Sequence, residues 1–155
     1  MTYTSEQWQA YYQKNREKIL KKKKIYRDKN AKKIYAKAKE WRNATPYNFV
    51  RYKVLAQKNA AKGRGMVWEL DVDATIAKIL RQGRCKLSGD KFVYKQGKGR
   101  GNKNPYAPSI DRIDSRKGYI PGNVMFINWE NNNAKGDMSL YRYKRMCAKV
   151  AKVAL

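Results

Sequence analysis

The stretch "PSIDRIDSRKGYIPGNVMFINWENNNAK" (residues 108–135) decides which fold the sequence predicts. Within it, "SIDRI" is typical of a short strand and "DSRKGYIPG" of a long turn. "NVMFIN" is typical of a second strand, and "WENNNAK" of the first turns of a helix that ends at Gly136. Strand, loop, strand and helix, with polar residues at the junctions, form the outline of a ββα unit.

The charge of the chain favours a nucleic-acid partner. Its 155 residues include 37 Lys and Arg, 12 Asp and Glu and no His, for a formal net charge of +25. Each phosphate that such a protein neutralises releases counterions. A polybasic protein of the membrane surface is the alternative. We expect no membrane, because the longest apolar runs are too short to span a bilayer and no signal-peptide pattern starts the chain.

The two cysteines, Cys85 and Cys147, show no metal-binding or redox spacing. Two Cys without His cannot supply the four soft ligands of a structural zinc site. Both thiols are expected to be reduced small hydrophobes, which indicates a cytoplasmic protein.

The charge is unevenly distributed, and this predicts two parts. Residues 1–64 have a net charge of +15, and residues 65–155 have +10. In the first part, "YQKNREKILKKKKIYR" (12–27) is echoed by "YRDKNAKKIYAKAKEWR" (26–42) at an offset of 15 residues, about four helical turns. We predict one long basic helix, or two, from about Ser5 to Asn43, with Ser5 as N-cap. Residues 1–64 would then be a basic helical DNA-binding arm, and residues 65–155 a second domain.

The predicted arm has many basic residues that could follow a phosphate backbone. Its aromatic residues could steady the arm on nucleic acid, or pack against the second domain or against a second copy of the chain, so a homodimer remains open. The basic residues of the chain that we expect to contact nucleic acid are Lys21, Lys22, Lys23, Lys24, Arg27, Lys32, Lys33, Arg100, Lys103, Arg116 and Lys117.

The remaining segments alternate between helical and strand patterns. Pro46 is expected to break the first helix, with a second helix over residues 47–61. Asp73 is predicted to cap a helix that Gly83 ends. The segment "MVWEL" (66–70) is typical of a short strand, and "CKLSGDKFVY" (85–94) of a strand–turn–strand with Ser88, Gly89 and Asp90 at the bend. Ser139 is predicted to cap a final helix with one apolar face, which is expected to belong to the core, with a docking site as the alternative; its residues are Leu140, Tyr143, Met146, Cys147, Val150 and Val153.

The combination "SIDRID…KGY…GNV…N…K", preceded by "CKLSG" and an "RG" segment, resembles the HNH/ββα-metal endonuclease superfamily. It is most similar to a branch, common in phage genomes, in which the usual Asp-His pair is Asp-Arg. The basic "KNREKI" repeats also resemble the N-terminal arms of that branch. The resemblance covers most of the chain and is most specific in residues 108–135. It implies an α+β fold with long basic N-terminal helices, a small HNH-like nuclease domain and a C-terminal helix.

The resemblance also implies roles for individual residues. Asp111 would be a metal ligand at the end of the first strand, and Asn132 the second ligand at the start of the helix. Asn123 would hold the loop or orient the reacting groups. Asp and Asn oxygens suit a hard cation such as Mg²⁺ or Mn²⁺. Asn131 and Asn133 flank Asn132, so a ligand one position away is an alternative.

Arg112 occupies the position where the better-known HNH pattern has a histidine that acts as general base. An arginine cannot accept the proton, but it can clamp a phosphate or stabilise the transition state. The base would then be Lys135, a metal-bound hydroxide or a substrate phosphate, or the chain binds DNA without cutting it. Without a histidine, activity is expected to rise toward alkaline pH.

Asp114 lies three residues beyond Asp111 and would not share its strand face. We predict that it holds the turn, paired with Arg116 or Lys117, and that it is the reserve metal ligand.

These observations predict a metal-dependent endonuclease that hydrolyses phosphodiester bonds in double-stranded or branched DNA. The implied protein is phage-encoded and acts in the host cytoplasm. One alternative is a non-catalytic DNA- or RNA-binding protein that keeps the HNH-like fold as a scaffold. A ribosome- or RNA-associated basic protein is the other.

Overall fold

The computed structural model describes residues 4–97 and 103–153. In these residues the chain forms helices α1 (Ser5–Ala44), α2 (Pro46–Gly63) and α3 (Val72–Gln82), strands β1 (Pro108–Arg112) and β2 (Val124–Asn128), and helices α4 (Trp129–Lys135) and α5 (Leu140–Val153). The predicted α+β class is confirmed. Backbone contacts divide the chain into one unit that ends at Glu40 and one that begins at Trp41.

Helix α1 confirms the long basic helix, but its cap differs from the prediction. Thr4 Oγ1 accepts a hydrogen bond from the Gln7 amide at 3.3 Å, and Gln7 Oε1 accepts one from the Thr4 amide at 2.9 Å. This reciprocal capping box requires a Gln or Glu three residues after the cap, and Thr4 meets that condition whereas Ser5 does not. The predicted N-cap at Ser5 is therefore wrong by one residue.

The sequence repeat in α1 recurs as a repeated local contact. The side-chain amide of Asn15 donates to the carbonyl of Tyr11, and that of Asn30 donates to the carbonyl of Tyr26, each at 2.9 Å. Helix α1 contains no buried residue in the described part of the chain. Its stability therefore comes from helix-forming residues and local contacts more than from packing of an apolar face.

Helix α2 begins at Pro46, as the predicted break requires. Thr45 is its N-cap and accepts from the amide of Asn48 at 3.1 Å, and proline is tolerated in the first turn because it lacks an N–H. The helix buries Phe49, Val50 and other apolar residues and packs against α3 and β1. The unit that begins at Trp41 therefore includes α2, whereas the predicted second domain begins at residue 65, after the end of this helix.

Helix α3 is capped two residues earlier than predicted. Asp71 Oδ1 accepts from the amide of Ala74 at 2.7 Å, so Asp71 and not Asp73 is the N-cap. Gly83 ends the helix in the left-handed region at φ 62°, as predicted. Ile76 and Ile79 are buried in the core.

The strand predicted at residues 66–70 is absent from the described structure, and the segment 85–94 keeps a turn, in which the Gly89 amide donates to the Cys85 carbonyl at 2.9 Å, but not the two strands predicted beside it. Each segment forms a single bridge, Trp68 with Tyr119 and Arg84 with Lys91. One residue, Tyr119, donates to the carbonyl of Val67 and accepts from the amide of Glu69, both at 2.9 Å. The neighbouring residues do not continue this pairing in the described structure, so no ladder forms.

Strands β1 and β2 pair in antiparallel register, with Asp111 opposite Met125 and Ser109 opposite Ile127. Directly opposed residues project to the same side of a sheet, so these four side chains share one face. Ile110 lies on the other face, and it is part of the core cluster together with residues of α2 and α3. Both predicted strands of the ββα unit are therefore confirmed.

Helix α5 follows Ser139, whose Oγ accepts from the amide of Arg142 at 3.2 Å, as the predicted cap requires. Tyr143 is buried, but Val150 is 62% exposed and Val153 is 87% exposed. The prediction of a core face is wrong for the later turns, because the helix contacts the core only near its start. In the described ranges no helix is both long enough and apolar enough to cross a membrane.

Gly118 permits the close approach of two backbones beside the ββα loop. A Cβ at this position would lie 2.5 Å from the carbonyl oxygen of Val67. We predict that Gly118→Ala lowers the free energy of unfolding by about 1–3 kcal/mol, as overpacked substitutions do. Urea unfolding measures this change. The control is Gly63→Ala, where a Cβ meets nothing within 4 Å. Equal stability of the two variants would contradict the prediction.

Candidate active site

One face of the β1–β2 hairpin and one side of α4 form the candidate site. Asn128 ends β2 and also caps α4, because its Oδ1 accepts from the amide of Asn131 at 2.9 Å. The helix therefore begins without a linker. Asn132 and Lys135 follow the cap by four and seven residues, which returns both side chains to one side of the helix. Both side chains contact β1.

A buried ion pair between Lys135 and Asp111 joins the helix to the strand in this site. Lys135 Nζ lies 3.2 Å from each carboxylate oxygen of Asp111. Lys135 is 1% exposed and Asp111 is 5% exposed. The ammonium also donates to the carbonyl oxygens of Arg112 at 3.2 Å and Gly136 at 3.5 Å. All three donors of the lysine are thus directed to protein oxygens.

Asp111 is less completely satisfied than Lys135. Burial raises the pKa of the Asp111 carboxyl above its ordinary value, and the neighbouring Lys135 acts in the opposite direction. Asp111 Oδ2 is buried and lies 3.2 Å from the Lys135 ammonium, but no donor of the described residues is aligned to form a hydrogen bond with it. A buried carboxylate oxygen with unused lone pairs can accept a further donor or a cation.

Asn132 is the asparagine of α4 that contacts the strand face. Its side-chain amide donates to Ser109 Oγ at 2.6 Å. Asn131 is used elsewhere, since it bonds to Asn128 at 2.7 Å and accepts from the hydroxyl of Tyr143 at 2.8 Å. Asn133 is exposed. Of the three candidate positions, Asn132 is therefore the one that shares a face with Asp111.

The oxygen atoms of this face fit a hard divalent cation. Asp111 supplies a carboxylate that already contacts the Lys135 ammonium, and Ser109 and Asn132 supply hydroxyl and amide groups on the same face. Such oxygens are the ligands that Mg²⁺ and Mn²⁺ prefer, with water in the remaining positions. In the described residues no three His, Cys, Asp or Glu side chains form a metal-binding cluster, so Asp111 would be the charged ligand. The ammonium of Lys135 opposes a second cation at this carboxylate.

Asn123 holds the loop between the two strands. Its Oδ1 accepts from the amide of Asp114 at 2.9 Å, and its Nδ2 donates to the carbonyls of Asp114 at 3.1 Å and Gly118 at 3.0 Å. The residue is buried, and the amide of Ile113 donates to its backbone carbonyl at 2.9 Å. Of the two predicted roles, these contacts support holding the loop.

Arg112 is directed toward the same loop. Its guanidinium donates to the carbonyls of Ser115 and, at 3.2 Å, Lys117, and it lies 5.5 Å from the ring centroid of Tyr119. Asp137 lies 3.8 Å from the guanidinium, and the Arg112 side chain is only 13% exposed. Arg112 therefore fastens the loop, and its role as a phosphate clamp stays a prediction.

Asp114 forms the predicted turn contact. Its carboxylate accepts from the backbone amide and the guanidinium of Arg116, all at 3.0 Å. These hydrogen bonds lower the pKa of Asp114 to about 2. The prediction that Asp114 holds the turn through Arg116 is confirmed, and no contact in the described chain joins its side chain to Asp111.

The predicted nucleic-acid-binding residues lie on separate parts of the chain. Lys21 to Lys24, Arg27, Lys32 and Lys33 are exposed on α1, and successive residues 100° apart place these charges on all sides of the helix. Arg116, Lys117 and Lys103 are exposed in the second unit. Arg100 lies outside the described residues. An arm charged on all sides can follow a phosphate backbone without a preferred face.

Two residues of the site were not identified from the sequence. Ser109 lies two positions before Asp111, so the period of two in a strand could have placed both on one face. Asp137 contacts Arg112 from the turn after α4, and no spacing rule connects these positions.

Comparisons with protein-family models, with curated proteins and with solved structures find no match to this chain. The resemblance to the HNH superfamily therefore stays a prediction from the motif residues.

The buried pair gives a test of the site's architecture. We predict that Asp111→Asn lowers the free energy of unfolding by about 3–5 kcal/mol, because it leaves the Lys135 ammonium buried without a counter-charge. The double variant Asp111→Leu with Lys135→Met should recover part of the loss, since it removes both charges. Urea unfolding of Asp111→Leu, Lys135→Met and the double variant measures the coupling between the two side chains.

The control for this cycle is Asp73→Asn, which breaks the exposed Arg51–Asp73 pair at 3.3 Å and should change stability by less than about 1 kcal/mol. Additive effects of the Asp111 and Lys135 substitutions would contradict the ion pair.

Asp114 gives a test of the loop. Its lowered pKa means that its contribution to stability is present above the ordinary carboxyl pKa and is lost as the pH falls toward about 2. We predict that Arg116→Ala raises the pKa of Asp114 toward the ordinary value of about 3.9, measured by carboxyl NMR titration. Lys117→Ala is the control, since Lys117 makes no hydrogen bond to this carboxylate in the described structure, and an equal shift in both variants would contradict the assignment.

Proposed function

We propose that this chain is a metal-dependent DNA endonuclease of the HNH/ββα-metal type, acting in the cytoplasm on double-stranded or branched DNA. The observation that supports this most directly is the Asp111 carboxylate. It is buried on the inner face of a β–β–α unit, and its Oδ2 accepts no hydrogen bond from the described residues. Such an oxygen at the junction of strand and helix is suited to hold a cation.

The charge of the chain supports DNA as the substrate. A net charge of +25 and the exposed basic residues of α1 favour a polyanion over a neutral substrate. Phosphate contacts of this kind position a strand without specifying its sequence.

Asp111 and Asn132 would hold the cation, with Ser109 orienting the Asn132 side chain. A bound divalent cation supplies charge stabilisation for the scissile phosphate. Asn123 and Arg112 keep the loop in place next to the end of β1, and Lys135 anchors α4 to the Asp111 carboxylate. These residues therefore fix the relative positions of the strand and the helix.

No histidine is present in the sequence, so general-base catalysis by imidazole is excluded. Arg112 holds no proton-accepting group. Lys135 points its donors at Asp111 and two carbonyls, an arrangement that suits an anchoring role better than a base role. The proton acceptor would then come from solvent or from the substrate phosphate.

A second candidate is a DNA- or RNA-binding protein that keeps the same unit as a scaffold. The specific observation in its favour is the ammonium of Lys135, which lies 3.2 Å from both oxygens of Asp111. This internal cation neutralises the carboxylate without any metal. Under this alternative, the strand–helix junction is structural and α1 performs the binding.

The proposed function is tested by Mn²⁺ binding and DNA cleavage. We expect calorimetry to detect Mn²⁺ binding, and Mg²⁺ or Mn²⁺ to support cleavage of supercoiled, linear or branched DNA. Both should be lost in Asp111→Asn and retained in Asp73→Asn, which removes an exposed carboxylate on α3. Activity should rise toward alkaline pH without an inflection near 6.5.

The alternative predicts a different outcome of the same experiment. If DNA is bound but remains intact with either metal from neutral to alkaline pH, and if Mn²⁺ does not bind, the nuclease proposal is wrong. Thermal unfolding of Asp111→Asn must show a folded protein at the assay temperature. Salt-dependent DNA binding is expected of both candidates and cannot separate them.

A further inference from the structure

A second concave region lies in the unit that begins at Trp41, apart from the Asp111 face. It is a cavity of about 130 Å³. Its walls come from α2, from the segments on both sides of residues 98–102, and from the first residue of α4; the lining residues are Phe49, Tyr52, Lys53, Lys95, Gln96, Lys103, Asn104, Ala107 and Trp129. A cavity of about 150 Å³ is enough to hold a benzene ring, so this one can accept a small ring or a phosphate group.

Three lysines line the cavity, and no described acidic residue does. Lys53 is half-buried, and burial lowers the pKa of its ammonium. In the described part of the chain, Lys53 has no ion-pair or hydrogen-bond partner. Desolvating an ammonium without a counter-charge is unfavourable, so a bound anion would relieve this cost.

One residue that lines the cavity, Gln96, has a hydrogen-bond acceptor without a donor. Gln96 Oε1 is buried and has no hydrogen-bond partner among the described residues, although the Gln96 backbone amide is bonded to Asn43 at 3.0 Å. A phosphate dianion offers no proton to this oxygen, whereas an amino group of a base or a hydroxyl of a sugar does. Gln96 lacks a hydrogen-bond donor and Lys53 lacks an anion, so one ligand that supplies both groups would satisfy the two residues.

The remaining lining residues are aromatic or apolar. Phe49 and Tyr52 come from one turn of α2, and Trp129 comes from the start of α4, where Lys103 Nζ lies 5.0 Å from the ring centroid. Aromatic faces beside cationic groups suit a planar heterocycle with a charged substituent.

We propose that this cavity anchors a single nucleotide unit: it takes the sugar or one ring of the base beside the aromatic residues and Gln96, and the phosphate lies at its open side on Lys53 and the exposed Lys95 and Lys103. The nucleotide is either free or part of a strand, since both present the same chemistry. The site does not depend on cleavage at Asp111. It stands if the chain binds DNA without cutting it, and it can fail while cleavage is observed.

The test compares three probes by calorimetry at constant ionic strength: deoxyadenosine 5′-monophosphate, inorganic phosphate and deoxyadenosine. The nucleotide should bind about tenfold more tightly than either fragment, because both the charged and the ring contacts contribute. Equal binding of the nucleotide and inorganic phosphate, or binding of none of the three, would overturn the proposal.

Matched lysine variants locate the site. Lys53→Met and Lys103→Met should each weaken nucleotide binding by about tenfold. Lys58→Met removes the same charge from an exposed position of α2 outside the cavity and should change it by less than about twofold. Lys103 is exposed, so its variant is informative even if Lys53→Met is unstable. Equal weakening by all three substitutions would show a general charge effect and overturn the assignment.

A single-stranded oligonucleotide separates the two sources of the ligand. If Lys53→Met and Lys103→Met weaken its binding more than Lys58→Met does, the cavity holds a nucleotide of the strand. If only the mononucleotide responds to these substitutions, the ligand is a free nucleotide. Both results support the cavity as a nucleotide site, whereas no selective response to either ligand contradicts it.

Discussion

The buried contact between Lys135 and Asp111 connects the two elements on which the candidate site depends. Asp111 lies near the end of β1 and Lys135 at the end of α4, so the pair fixes the helix against the strand at its far end. Asn128 fixes the near end by capping the helix directly after β2. Because α4 has only seven residues, it would be marginal as an isolated helix, and these two attachments hold it in register with the sheet.

The same pair sets the electrostatics of the face. Burial favours the neutral form of Asp111, and the ammonium favours the charged form, so the carboxylate is held between opposing effects. A cation that binds there must compete with Lys135 or share the carboxylate with it. The proposed nuclease requires that Asp111 bind a metal more strongly than it binds the ammonium of Lys135. The scaffold alternative requires the opposite order of affinities.

The parts of the fold that were predictable are those with strong local chemistry. The basic repeat predicts α1, Pro46 predicts the break, Gly83 predicts the end of α3, and the alternation around Asp111 predicts the hairpin. The segments at 66–70 and 85–94 have strand-like composition, yet each takes part in only one bridge. Whether such a segment becomes a strand depends on its tertiary neighbours, which composition does not specify. In the site, Asp111 and Asn132 are predicted because of the family resemblance, whereas the contacts of Lys135 with Asp111 and of Asp137 with Arg112 depend on how the turns fold.

Burial separates the lysines of this chain into different physical roles. The lysines of α1 are exposed, so water and salt screen them and each adds a similar, non-directional attraction to a polyanion. Lys135 is buried with three acceptors and serves the architecture of the ββα unit. Lys53 is half-buried beside a cavity without an acceptor in the described chain, a state that is costly unless an anion binds. The many positive charges of this protein indicate a polyanionic partner. Burial then distinguishes the lysines that attract this partner from the lysines that position it.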